Sequence, residues 1–240
     1  MSCSRSGTLK LQRPVAPRSP GDGPKCDRPQ LRLVDSYPLK YLLRPRISTE
    51  AAESPPLLCF LHGYDEGAPL EIFNALTRHG PLRSLKPSTY KDRFVILAPQ
   101  LPVRGDLWYR YADTVRQIVL DEAKNFACDL RRVYLTGFSF GGNGVFDLSF
   151  GQTATWAALW PVDPTRTPTK PLATPVWLSL GEISRFRASS FIRTLGLEFA
   201  ETGPAADRLW FDAGEDHVGT ATQAYDDERV YRWLLSKRLQ

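Results

Sequence analysis

Short unbroken apolar runs alternate along this chain with stretches whose apolar positions recur every three or four residues. Leu57 to Leu61 is continuous, Phe94 to Ala98 is the next buried strand, and Val133 to Thr136, Ala157 to Trp160, Val176 to Leu180 and Arg208 to Phe211 read as further short strands. Continuous hydrophobicity marks a strand covered on both faces, as in a parallel sheet between two helical layers. The intervening stretches read as helices over Leu70 to His79, Tyr111 to Phe126 and Phe186 to Phe199, with a further helix opening after Ser139. In the second of these Val115, Ile118, Val119 and Glu122 fall at helical spacing. Asp227 to Leu239 closes the chain as an amphipathic helix with Val230, Trp233 and Leu234 inward. Leu31 to Val34 and Leu39 to Leu43 predict an opening hairpin around Tyr37-Pro38, and Ile47 to Pro56 a polar connecting loop. Strand–helix alternation predicts the α/β class, with a mostly parallel central sheet flanked by helices and right-handed crossovers. No internal repeat or linker divides the pattern. Residues 1 to about 28, rich in Pro, Ser, Gly and Arg, lack periodicity and are expected to be a disordered tail. Residues 29–240 are expected to form one domain, a suitable size for a single core.

Charge changes this picture little. The net charge is +5, but residues 1–25 hold five Lys or Arg and one acid, so four of the five charges lie in the tail. The rest is nearly balanced, with no basic stripe interleaved with aromatics, and nucleic-acid binding is not expected. Cys3, Cys26, Cys59 and Cys128 show no metal-ligand spacing, and no metal or organic cofactor is implied. No apolar h-region of a secretory signal and no run of about 18 apolar residues for a membrane span is present. Reduced thiols then make a cytoplasmic location the expectation. The pattern leaves oligomeric state open.

The candidate chemistry centres on Gly137-Phe138-Ser139-Phe140-Gly141. This is a G-x-S-x-G nucleophile elbow, in which the serine sits on a sharp strand-to-helix turn. Glycines two residues away on either side keep strand and helix from colliding. The bare pattern arises by chance in roughly one chain of this length in twelve, so context decides. The chain has three histidines, His62, His79 and His217. A serine hydrolase of this fold runs Ser, acid, His in chain order, and only His217 follows Ser139. It is the candidate base. His62-Gly63 ends an early strand, and the N–H of Tyr64, with that of Phe140, is the candidate oxyanion hole. Trp108 and Tyr109 are candidate substrate-binding walls, although packing in the core or a loop accounts for them equally well.

Taken together these pieces resemble the serine esterases of the α/β-hydrolase superfamily. That group includes phospholipase/carboxylesterase, polyhydroxybutyrate-depolymerase-like and "predicted peptidase" proteins. The matching pieces are Leu39-Lys40-Tyr41-Leu42-Leu43, Phe60-Leu61-His62-Gly63 with Glu66-Gly67, and Ala98-Pro99-Gln100. After them come Asp129 with Arg132 to Gly137, the elbow, and Asp212-Ala213-Gly214 with His217. They run in order from about residue 31 to the C-terminus. The resemblance implies an α/β-hydrolase fold and cleavage of small-molecule carboxylic esters through an acyl-serine.

One departure stands out. The family carries its acid about three residues past a His-Gly that follows the strand at Val176 to Leu180. Here that stretch reads Gly181-Glu182-Ile183-Ser184-Arg185, and Ser184 stands where the Asp belongs. Glu182, directly after the strand, is the favoured acid. Asp163, after the neighbouring strand, is the alternative, since some superfamily members place the acid there. Two other readings remain open: a pseudo-hydrolase that only binds, and a peptidase or thioesterase on the same scaffold.

Overall fold

The computed structural model describes residues 31–36, 38–48, 53–83, 86–152, 154–184, 188–197 and 208–240. The tail expected over residues 1–28 lies outside them. Eight strands form one sheet: β1 (Arg32–Val34), β2 (Tyr41–Arg44), β3 (Leu57–Leu61), β4 (Val95–Pro99), β5 (Val133–Phe138), β6 (Ala158–Val162), β7 (Trp177–Gly181) and β8 (Arg208–Asp212). Their order across the sheet is β1-β2-β4-β3-β5-β6-β7-β8. β1 runs antiparallel to β2 and β2 antiparallel to β4, while every pair from β4 to β8 is parallel. All the strands expected from apolar runs are present.

The continuous runs are continuous because both faces are covered. Leu57, Cys59 and Leu61 of β3 point into one core with Val95, Leu97, Val133 and Leu135. Leu58 and Phe60 point the other way, with Ile96, Ala98, Tyr134, Ala158 and Trp160. The first core is closed by α2 (Ala112–Asn125), α3 (Phe140–Ser149) and α4 (Ala188–Leu195), through Val115, Val119, Val145, Phe146 and Phe191. The second is closed by α1 (Ile72–Leu76), α5 (His217–Asp226) and α6 (Glu228–Leu235). Aromatic rings dominate this second face, with Trp160 4.7 Å from Tyr225 and Trp177 5.6 Å from Trp233.

Helix ends differ from the pattern's expectation where capping decides them. α1 begins at Ile72 because the Glu71 carboxylate accepts the N–H groups of Phe73 and Asn74. α6 begins at Glu228 because Asp227 caps it. α4 is shorter than the expected Phe186 to Phe199, whose two ends lie outside the described residues. α5 is an unexpected helix. Its sequence, HVGTATQAYD, has little apolar periodicity, and it forms behind the Asp216 cap, which accepts from Val218 and Gly219 N–H. No helix among the described residues is long and apolar enough to cross a membrane.

Register places the functional edge of the sheet. Leu61 sits beside Gly137, and Phe138 beside Val162. Residues just past β3, β5 and β6 therefore emerge side by side. The chain also reverses its direction across the sheet at β3, flanked by β4 on one side and β5 on the other. Ligands of open α/β sheets bind in the crevice that such a reversal leaves.

Candidate active site

Ser139 lies between β5 and α3 with φ 57° and ψ −114°, in the left-handed half of backbone space where a side chain is strained. The flanking glycines make that turn feasible. A Cβ on Gly137 would stand 2.3 Å from the Gly141 carbonyl oxygen, and one on Gly141 would stand 1.9 Å from Leu61 O. The Ser139 N–H donates to Val162 O at 3.0 Å, tying the elbow to β6. Little of Ser139 is exposed, and its hydroxyl meets the ring of His217: Nε2 lies 2.9 Å from Oγ.

His217 is the first residue of α5, so the Asp216 cap that starts the helix also fixes where the ring begins. Its other nitrogen, Nδ1, is 2.6 Å from Asp163 Oδ2. Asp163 follows β6 and is fully buried. It too has a positive φ, 43°, and its N–H donates to Ser179 O of β7 at 2.8 Å. The expectation that favoured Glu182 is corrected by this geometry. Glu182 is exposed, and its Oε2 accepts the Gly214 N–H at 2.6 Å, closing the loop after β8. Its carboxylate is occupied there, while the turn at Asp163 directs the shorter side chain onto Nδ1. Ser184, at the position where the resemblance leads one to look for an acid, donates its hydroxyl to Asp163 Oδ2 at 2.7 Å.

Three further residues support the site, and the sequence pattern assigns a role to none of them. Asn143 of α3 accepts the N–H groups of Thr165 and Arg166 at 2.9 and 3.1 Å and donates to Thr165 Oγ1 at 2.6 Å. It thereby clamps the loop that carries Asp163. Glu66 and His79 are the other two. Glu66 stands three residues after Gly63, the spacing of a capping box, which is the signal that could have found it.

Tyr64 opens a 3₁₀ turn, Tyr64–Glu66, and Phe140 opens α3. Their rings meet edge to face at 5.2 Å, so the two residues border one space above Ser139. As first residues of helical turns, both have N–H groups that no intrahelical carbonyl can take. Neither N–H has an acceptor among the described residues. His62, in contrast, is structural. Leu101 N–H donates to its Nε2 at 2.9 Å, which leaves Nδ1 as the protonated nitrogen, donating to Gly63 O at 2.7 Å. Burial holds this imidazole neutral, pushing it down to about 4.

Trp108 is buried, and its Nε1–H donates to His62 O at 3.1 Å. Its ring fills the space that a side chain at Gly144 of α3 would need. The expectation of a substrate-facing wall is therefore corrected to a core residue that seats α3. Tyr109 is exposed, beside the Arg110 guanidinium. Exposed apolar side chains next in the chain to the site are Tyr64, Ile183 and Val218. No group of three or more His, Cys, Asp or Glu suited to holding a metal occurs among the described residues.

No sequence-family model matches the chain, and no curated protein sequence does. Solved structures do resemble it. A thermostable esterase superposes with a TM-score of 0.62 at 16% identity, covering 89% of this chain and 64% of that one. The chain thus spans somewhat less than two thirds of that esterase's length. A predicted CIB-like hydrolase from Thermoplasma acidophilum and Est1E from Butyrivibrio proteoclasticus each give a TM-score of 0.56, at 14% and 16% identity. Each comparison covers 86% of this chain and 98% of the other. At these identities the likeness shows the fold alone, an α/β-hydrolase fold, and the mostly parallel eight-stranded sheet of the described residues agrees with it.

Proposed function

We propose that this protein is a serine hydrolase that cleaves carboxylic esters through an acyl-serine intermediate, with Ser139 as nucleophile, His217 as base and Asp163 as the acid that orients it. The observation carrying this reading is the unbroken contact from Asp163 Oδ2 through His217 to Ser139 Oγ, at 2.6 and 2.9 Å, ending on a strained elbow. A binding protein has no use for that strain, so the geometry favours an enzyme over a pseudo-hydrolase. The names of two structural neighbours, a thermostable esterase and a predicted hydrolase, support the same direction.

The chemistry follows from the arrangement. Asp163 keeps the proton of the neutral imidazole on Nδ1, leaving Nε2 free to accept one. Nε2 takes the Ser139 hydroxyl proton as Oγ bonds to the ester carbonyl carbon. The carbonyl π electrons move onto oxygen, and the N–H groups of Phe140 and Tyr64 receive that charge. When the tetrahedral adduct collapses, the ester C–O bond breaks and the imidazolium returns its proton to the leaving alcohol oxygen. Water then repeats the sequence in the alcohol's place: His217 takes its proton, hydroxide adds to the acyl carbon, and Oγ leaves reprotonated. As the imidazolium forms, the buried Asp163 carboxylate faces it across 2.6 Å, where water screens the attraction poorly.

Labelling with a fluorophosphonate, followed by hydrolysis of p-nitrophenyl esters of graded acyl length, tests the reading. Covalent label on Ser139, and ester turnover abolished in Ser139→Ala, is the expected result. An unlabelled wild type that turns over none of the esters would overturn it.

A further inference from the structure

Directly behind the candidate oxyanion turn lies a carboxyl group that the steps above do not use. Glu66, the last residue of the 3₁₀ turn, is only 3% exposed. Its Oε2 accepts the Gly63 N–H at 2.5 Å. A Cβ on Gly63 would stand 3.0 Å from that oxygen and 3.6 Å from Ser139 Cβ, so the turn is wedged between the Glu66 carboxyl and the elbow. Gln100 Nε2 holds the backbone of Glu66 in place by donating to its carbonyl at 3.0 Å. The other carboxyl oxygen, Oε1, faces His79 Nε2 across 3.5 Å. The His79 ring lies 4.9 Å from that of Phe138, which in turn lies 4.6 Å from His217. A single aromatic ring therefore separates this pair from the base.

Resting on the function proposed above, we propose that Glu66 is the positioning residue of the oxyanion turn and that it acts as an uncharged carboxyl group against a neutral His79. Its grip on Gly63 N–H fixes the His62–Gly63 peptide, and His62 Nδ1 holds the Gly63 carbonyl of the next one, so together they set the direction of the Tyr64 N–H. Charge is the second half of the argument. A carboxylate here would face the carbonyl oxygen as that oxygen turns negative, and would raise the barrier instead of lowering it. The groups facing Glu66 are Asp65 in its own turn, Arg78 and His79 after α1, and Tyr225 from α5. The Gly63 N–H and Arg78 favour the charged form and Asp65 opposes it, but burial outweighs them and pushes Glu66 up to about 7. Burial, with Arg78 and His217 nearby, pushes His79 down to about 4. Both groups are thus uncharged from mildly acidic pH to about neutrality, and Glu66 ionises above it.

The test is a pH profile of p-nitrophenyl acetate hydrolysis, with the Ser139→Ala rate subtracted as background. Wild-type kcat/KM should fall as Glu66 ionises near pH 7. Glu66→Gln, which keeps an acceptor for Gly63 and cannot ionise, should lose the falling limb while kcat at pH 6 drops about threefold. Glu66→Ala should lower kcat about tenfold or more with KM nearly unchanged, since the interaction it loses acts in the transition state. A wild-type profile flat to pH 9, a falling limb that survives in Glu66→Gln, or full kcat in Glu66→Ala each overturns the proposal. Should Glu66→Ala fail to fold, the other two arms decide it. An inactive wild type would instead count against the esterase reading, and thermal midpoints then carry the test. The wild type should gain on Glu66→Gln as pH falls from 8 to 5, because the folded carboxyl binds its proton first. A gap that does not change with pH removes the uncharged carboxyl.

Discussion

Two hydrogen bonds converge on Asp163 Oδ2, one from His217 and one from the Ser184 hydroxyl, and they separate what each residue contributes. Neutralising Asp163 as Asp163→Asn puts an amide opposite Nδ1 and favours the wrong imidazole tautomer, so kcat should fall roughly 10⁴-fold, as for a triad carboxylate elsewhere. Glu182→Gln should cost less than about tenfold, because its partner is the Gly214 N–H, which an amide oxygen can still accept. Equal losses in the two variants would sink the assignment of the acid. Ser184→Ala removes one donor to the carboxylate and should lower kcat several-fold with KM nearly unchanged. An unmoved kcat would reduce Ser184 to loop packing. The pairing of Ser139 with His217 was legible from sequence because each rests on punctuation: a glycine pair around one, the end of a strand before the other. Which carboxylate meets the His217 ring was not. Glu182 and Asp163 both follow strands at the correct edge, and their separation depends on a backbone dihedral, φ 43° at Asp163, that no residue pattern announces.

Among the elements, α5 matters most to the site and was least visible. Its apolar positions are few, and it exists because Asp216 caps its first turn, accepting from Val218 and Gly219 N–H at 3.0 and 2.8 Å. Since His217 is its first residue, cap and base form one structural unit. Asp216→Ala should cost about 1 kcal/mol of stability, the usual value for an N-cap. It should also lower kcat more than it raises KM, because the ring loses its register against Ser139. Urea unfolding and steady-state kinetics on the same preparation check both halves. A stability loss with kinetics untouched would show that Asp163 alone holds the ring. The parallel strands, by contrast, were all legible, most clearly β3 and β4, whose unbroken apolar runs a doubly covered sheet explains. α1 and α6 were legible apart from their ends, which are set by Glu71 and Asp227 rather than by apolar periodicity.

Buried His62 and Glu66, with the half-buried His79, give the whole molecule a pH dependence whose sign can be worked out. His62 is pushed down to about 4 and His79 to about 4, each from an ordinary 6.5, with burial the leading cause. In the unfolded chain these rings bind protons that the folded protein refuses. Their contribution is therefore fully present above about pH 6.5 and is lost as pH falls toward 4. Glu66, raised from 4.5 to about 7, has the opposite sign, because the folded state holds a proton that the unfolded chain has released. Between pH 7 and pH 5 His62 should remove about 2 kcal/mol and the partly exposed His79, screened by water, less, while Glu66 returns about 2 kcal/mol, leaving a net loss of about 1 kcal/mol. Urea unfolding at pH 7, 6 and 5 measures that slope directly. Glu66→Gln, lacking the compensating carboxyl, should lose roughly twice as much over the same interval or more. A wild type that grows more stable from pH 7 to pH 5, or a variant with the wild-type slope, would show that these groups titrate as they do in water. The buried connection from the oxyanion turn to His79 would then not exist in the form described.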